Sequence, residues 1–129
     1  MGRAAQQPRI ALIVEDEDEV RDLAAALLEE TDLEVVESET AQDAMDYLND
    51  HADQVAFLFA DVRTSSRLDG VDLARTVREQ WPWVRVVLTS GAPLDEGRDN
   101  GLRNVRFMPK PWRALDVLME AEKALTPHS

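Results

Sequence analysis

Two short stretches of this chain leave no face for water. Ile10-Ala11-Leu12-Ile13-Val14 and Val55-Ala56-Phe57-Leu58-Phe59-Ala60 are apolar at every position. Successive strand residues point to opposite faces, so a strand with one wet face alternates apolar and polar side chains. An unbroken apolar run predicts a strand covered on both faces, as in a parallel sheet with helices on either side. Each run ends in acid, Glu15-Asp16 after the first and Asp61 after the second. Val84-Arg85-Val86-Val87-Leu88 leads to Thr89, and Val105-Arg106-Phe107-Met108 leads past Pro109 to Lys110. Leu33-Glu34-Val35-Val36-Glu37 is a weaker fifth strand.

Helix-periodic segments separate these runs. Val20, Leu23, Ala24, Leu27 and Leu28 fall at helical spacing, as do Ala41, Ala44, Met45 and Leu48. Thr40 reads as the N-cap of the second helix, with Asp43 three residues on. Gly70 opens a third helix whose buried face is Leu73, Ala74, Val77 and Trp81, and Pro82 follows its end. Leu115, Leu118, Met119 and Leu125 mark a last helix, with Pro111 near its start. Pro93, Gly97 and Gly101 interrupt Ala92 to Leu102, so a full helix is not expected there.

Alternation of strand and helix predicts an α/β doubly wound fold. The charged second and fifth strands suit the edges. The strand order is then 2-1-3-4-5, flavodoxin-like, with its switch point between strands one and three. Ligands bind at the carboxyl rim of such sheets. Glu15, Asp16, Asp61, Thr89 and Lys110 all belong to that rim.

At 129 residues the chain makes one domain, read as Arg9 to Leu125 with tails at 1–8 and 126–129. Its 14 basic and 26 acidic residues give a net charge of -12, which argues against a nucleic-acid partner. There is no cysteine, hence no disulfide framework and no thiolate chemistry. No apolar stretch approaches the length of a membrane span, and no membrane partner is expected. Met1 to Arg9 lacks the apolar centre of a signal peptide, and a cytoplasmic location follows as the expectation.

Gathering three carboxylates is unfavourable. Two charges about 4 Å apart repel by roughly 4 kcal/mol at an effective dielectric near 20. A hard divalent cation offsets this, and Mg²⁺ takes one or two carboxylates with waters and a phosphate. Asp61 then reads as a nucleophile toward phosphorus, with Lys110 pairing the phosphate and Thr89 donating a hydrogen bond to it. Taken singly, these residues have plainer roles. An acid after a strand is often a helix cap, and Glu17, Asp18 and Glu19 suit a helix's positive end. Trp81, Trp83 and Trp112 read as packing residues, with partial exposure of one at a partner surface as the alternative, and His51 and His128 read as surface residues.

The conjunction resembles the receiver domain of bacterial two-component response regulators, over about Arg9 to Leu125. The motifs that carry the resemblance are Val14-Glu15-Asp16-Glu17, Asp61 with Leu68-Asp69-Gly70, Leu88-Thr89-Ser90-Gly91 and Lys110-Pro111. It implies that Asp61 is the phosphoacceptor for a histidine kinase or histidine phosphotransfer protein. Glu15, Asp16, Asp61 and the backbone carbonyl of Arg63 are implied as the Mg²⁺ ligands. Thr89 and Lys110 would contact the phosphoryl oxygens, and Thr89 and Phe107 would act as switch residues. The Lys110-Pro111 peptide would be cis.

Such a module is not a turnover enzyme, and its output is an unidentified downstream protein or a phosphate relay. The short segment after Leu125 leads to the expectation of a stand-alone receiver. One departure is the loop Val62 to Leu68, one residue longer than the family's common form and without its Met-Pro. Two rivals remain. One is a pseudo-receiver that binds partners without phosphate. The other is a phosphatase of the haloacid dehalogenase type, which needs a second aspartate where Arg63 stands.

Overall fold

The computed structural model describes residues 7–91 and 102–126. Five strands, β1 (Ile10–Val14), β2 (Glu34–Ser38), β3 (Val55–Asp61), β4 (Arg85–Ser90) and β5 (Val105–Pro109), form one sheet. All pairings are parallel, in the order β2-β1-β3-β4-β5. Four helices accompany them among the described residues: α1 (Asp18–Leu28), α2 (Ala41–His51), α3 (Gly70–Gln80) and α4 (Ala114–Leu125). The interrupted segment expected at Ala92 to Leu102 falls, but for Leu102, outside the described residues.

The strand chemistry explains the order. β1 and β3 are buried along their whole length, whereas β2 and β5 alternate with exposed residues. Side chains leave the sheet in two directions and make two cores. Leu12, Val14, Leu58 and Leu88 pack with Ala44 and Leu48 of α2 and Leu73 and Val77 of α3. Ala11, Ile13, Phe57, Phe59 and Val87 pack with Ala24 and Leu28 of α1 and Val117 and Ala121 of α4.

The helix ends follow local chemistry. Thr40 Oγ1 accepts the Asp43 amide at 3.0 Å. Asp69 and Asp72 form a reciprocal capping box at the start of α3. The first two amides of α2 have distant partners: Ala41 donates to Thr64 Oγ1 at 3.1 Å and Gln42 to Ser66 Oγ at 3.4 Å. The loop after β3 thus satisfies donors that the helix cannot pair itself.

Not every apolar residue that marks α1 and α4 is buried. Leu23, one of the residues at helical spacing in α1, is 55% exposed. Leu115 and Met119, two of the residues that mark α4, are 62% and 49% exposed. The buried residues of α4 are Val117, Glu120 and Ala121. Glu120 faces the sheet, where two of its three cationic partners lie, and Lys123 of its own helix is the third. Its carboxylate accepts from Arg85 Nε at 2.7 Å, Arg106 at 3.1 Å and Lys123 Nζ at 3.5 Å.

Burial alone would raise the Glu120 carboxyl. The hydrogen bond from Arg85 and the charges of Arg85, Lys123 and Arg106 outweigh it and hold the group below 4.5. A carboxyl depressed in the folded state stabilises the fold above its unfolded pKa, and that contribution is lost as pH falls. The wild type should therefore lose stability as pH drops below 4.5, and Glu120→Gln should lose less over the same range. Glu120→Ala should cost about 2 kcal/mol at pH 7, below the range for a fully buried pair because its cations are partly solvated. Urea unfolding at neutral and acid pH checks both.

Candidate functional site

Parallel register brings the strand ends to one rim. Asp61 lies beside Thr89, and Thr89 beside Met108. Glu15 follows β1 directly and is pinned through its backbone. Its N–H donates to the Ser38 carbonyl at 3.1 Å, and its carbonyl accepts from Arg21 at 2.9 Å. Its carboxylate is equally held. Oε2 accepts the Glu17 amide at 3.1 Å, and Oε1 accepts Lys110 Nζ at 2.8 Å.

Lys110 Nζ also donates to Asp61 Oδ2 at 2.8 Å, so one ammonium bridges two carboxylates. Asp61 Oδ1 accepts the Arg63 amide at 3.1 Å. Val62 donates to the Thr89 carbonyl at 2.8 Å, and Lys110 N–H to the Ser90 carbonyl at 2.9 Å, tying the three loops together. The Lys110-Pro111 peptide is cis. Glu15, Asp61 and Thr89 are 4%, 8% and 2% exposed, while Asp16 and the Arg63 side chain face solvent. Phe107 is half-buried against the core on the α2–α3 side of the sheet.

Burial raises the Glu15 carboxyl and the Asp61 charge adds to the rise, against hydrogen bonds from Lys110 and the Glu17 amide. Burial would lower Lys110, but its hydrogen bonds to Asp61 and Glu15 and their charges hold it above its ordinary value. One carboxylate oxygen each from Glu15, Asp16 and Asp61 lies within 4.8 Å of the others, and this trio could hold a metal ion. All are hard oxygen donors with no sulfur or imidazole among them, a set suited to Mg²⁺ or Ca²⁺. The structure thus brings together Glu15, Asp16, Asp61 and Lys110, with Thr89 beside them. Phe107 lies one strand away on the other face. His51 lies against Tyr47 in α2, with ring centroids 4.5 Å apart and the planes tilted by 34°.

Sequence reasoning gave the carboxylate repulsion to an incoming cation alone. The structure adds Lys110 as an internal counter-ion. The metal-free gain from Asp16→Asn should accordingly be small, within about 0.5 kcal/mol, because Asp16 is exposed. Divalent-cation affinity should fall in the same variant. Thermal melts with and without Mg²⁺ read both effects.

Three residues had no assigned site role in the sequence. Arg21 stands among the acidic residues Asp18, Glu19 and Asp22 of α1. Ser38 ends β2, one residue past the predicted run, and its Oγ donates to the Ile13 carbonyl at 2.8 Å. Gly70 opened a helix, yet its backbone packs on the acid: a Cβ there would meet the Asp61 carbonyl and lie 2.8 Å from Val62 Cα. The juxtaposed Asp69-Gly70 was the only local signal for it.

Residues 11–121 match the family model described as response regulator receiver domain. The chain is 32% identical over 118 residues to the nitrogen assimilation regulatory protein NtrX of Azorhizobium caulinodans, covering 88% of this chain and 25% of that protein. It thus spans about a quarter of that curated relative. The crystal structure of the receiver domain of NtrX from Brucella abortus is 32% identical with a TM-score of 0.74, covering 89% of this chain and 97% of that one. A response regulator receiver protein from Sinorhizobium medicae superposes with a TM-score of 0.82 at 22% identity, covering 92% and 95% of the two chains, and supports the fold. No helix among the described residues is long and apolar enough to cross a membrane.

Proposed function

This chain belongs to the response regulator receiver domain family, and we propose that it accepts a phosphoryl group on Asp61 from a phosphohistidine donor. The observation that carries this is the bridge of Lys110 Nζ, 2.8 Å from both Glu15 Oε1 and Asp61 Oδ2, at the open rim of the sheet. An Asp61 oxygen attacks phosphorus, the N–P bond to the donor imidazole breaks, and its electron pair stays on the imidazole nitrogen. Lys110 can then pair with a phosphoryl oxygen and release Glu15. Thr89 supplies a hydroxyl on the neighbouring strand end. Glu15, Asp16, Asp61 and the Arg63 carbonyl are the residues that would hold Mg²⁺, which neutralises charge on the transferring group.

Transfer of Lys110 from two carboxylates to a phosphoryl group changes which contacts hold the β1, β3 and β5 ends together. That change biases two states, with Thr89 and Phe107 as the switching side chains. We read Arg9 to Leu125 as the receiver unit. It promotes its own phosphorylation once per cycle rather than turning over substrate. A histidine kinase or histidine phosphotransfer protein is the donor, a cytoplasmic pool the setting, and a downstream protein the target.

Intact-protein mass after incubation with acetyl phosphate tests the reading. One phosphoryl group should appear only with Mg²⁺, and Asp61→Asn should gain none. If wild type gains none and beryllofluoride shifts no resonance, the chain is a pseudo-receiver instead.

A further inference from the structure

Arg21 lies behind the acidic site, against the backbone of Glu15. Its side chain, rising from the first turn of α1, is 14% exposed. The guanidinium contacts three elements. One terminal nitrogen donates to the Glu15 carbonyl at 2.9 Å, at the end of β1. The other donates to Asp18 Oδ1 at 2.7 Å, at the start of α1. Nε lies 3.4 Å from Glu37 Oε1 on β2. The pair with Asp18 is solvent-exposed on the carboxylate side and contributes little by itself. The contact with the Glu15 carbonyl is different, because it completes the pinning of that residue's backbone between Ser38 and α1.

We propose that Arg21 is a positioning residue of the acidic site, fixing the turn that presents Glu15 and Asp16 while occupying none of their carboxylate oxygens. The inference deepens the reading of this site as a Mg²⁺ site and rests on it. A rigid planar fork can reach three acceptors at once, whereas a lysine ammonium is a point charge on a flexible stem. Groups behind a metal site that orient its ligands change metal affinity by about 10–100-fold when removed.

Two roles for Arg21 predict opposite signs. A cation beside the site repels Mg²⁺, so a purely electrostatic role predicts tighter binding once the charge is gone. A positioning role predicts weaker binding.

Calorimetric titration of the whole chain with Mg²⁺ at pH 7 decides between them. Arg21→Met should bind about tenfold more weakly than wild type. Arg21→Lys should also bind more weakly despite keeping the charge. Val77→Ala, in the second half of α3 and fully buried, should lose thermal stability while keeping wild-type affinity. That control separates loosening of the fold from loosening of the turn. Arg21→Met binding Mg²⁺ as tightly as wild type, or more tightly, overturns the proposal. If Arg21→Met does not fold, wild-type affinity in Arg21→Lys overturns it equally. Wild type that binds no Mg²⁺ overturns the metal reading itself and the proposal with it, an outcome distinct from a wild type that binds beside variants that bind as well.

Discussion

A Gly70→Ala variant is expected to lose about 3 kcal/mol of stability and most Mg²⁺-dependent phosphorylation of Asp61, although alanine is the better helix former. A new Cβ would meet the Asp61 carbonyl oxygen and lie 2.8 Å from Val62 Cα and 2.9 Å from the Asp61 carbonyl carbon. All of these are backbone atoms, so no side-chain rotation relieves the contact. The Gly70 amide donates to the Val62 carbonyl at 2.7 Å, which prevents α3 from simply backing away. Relief must come from moving the end of β3, the segment that aims Asp61. Urea unfolding and the acetyl phosphate mass shift, measured on the same preparation, check the two losses. A variant with an unchanged unfolding midpoint and full phosphorylation would show that the strand end yields freely.

Lys110→Met should cost the metal-free protein about 3 kcal/mol, since removing one partner of a buried ion pair leaves the others unpaired. Glu15 and Asp61, 4% and 8% exposed, would face each other without a cation. The pH dependence has a definite sign. Glu15 is already raised above 4.5 by burial. With Lys110 gone it rises further, so the folded state binds more protons than the unfolded chain. Stability of the variant should then increase as pH falls from neutrality toward 4.5. Mg²⁺ binding should be retained and should stabilise the variant more than the wild type, because a bound ion restores the lost counter-charge. Beryllofluoride should no longer shift resonances near Phe107. Loss of Mg²⁺ binding instead would place Lys110 among the residues that build the metal site.

Much of this was legible because strand burial is written locally. Ile10 to Val14 and Val55 to Ala60 are apolar throughout, so their central positions and their acidic ends could be read without a partner. The mixed chemistry of β2 and β5 placed them at the edges. The face of α4 was not legible, because periodicity scores Glu120 as polar. Its burial depends on Arg85 and Arg106, 35 and 14 residues away in the chain. The resting position of Lys110 was hidden for the same reason. Its partner Glu15 is 95 residues away, and nothing local distinguishes a lysine awaiting phosphate from one already bridging two carboxylates. Arg21 was obscured by Asp18, Glu19 and Asp22, which made it one charge among several on an acidic helix start.

The seam between the loop after β3 and the start of α2 has a consequence for observation. The Ala41 and Gln42 amides are protected by Thr64 and Ser66 hydroxyls rather than by their own helix. Their exchange with deuterium therefore tracks the loop that begins beside Asp61, while exchange deeper in α2 tracks the helix. Those two protons make a label-free gauge of whether an event at the acidic rim has reached the second helix.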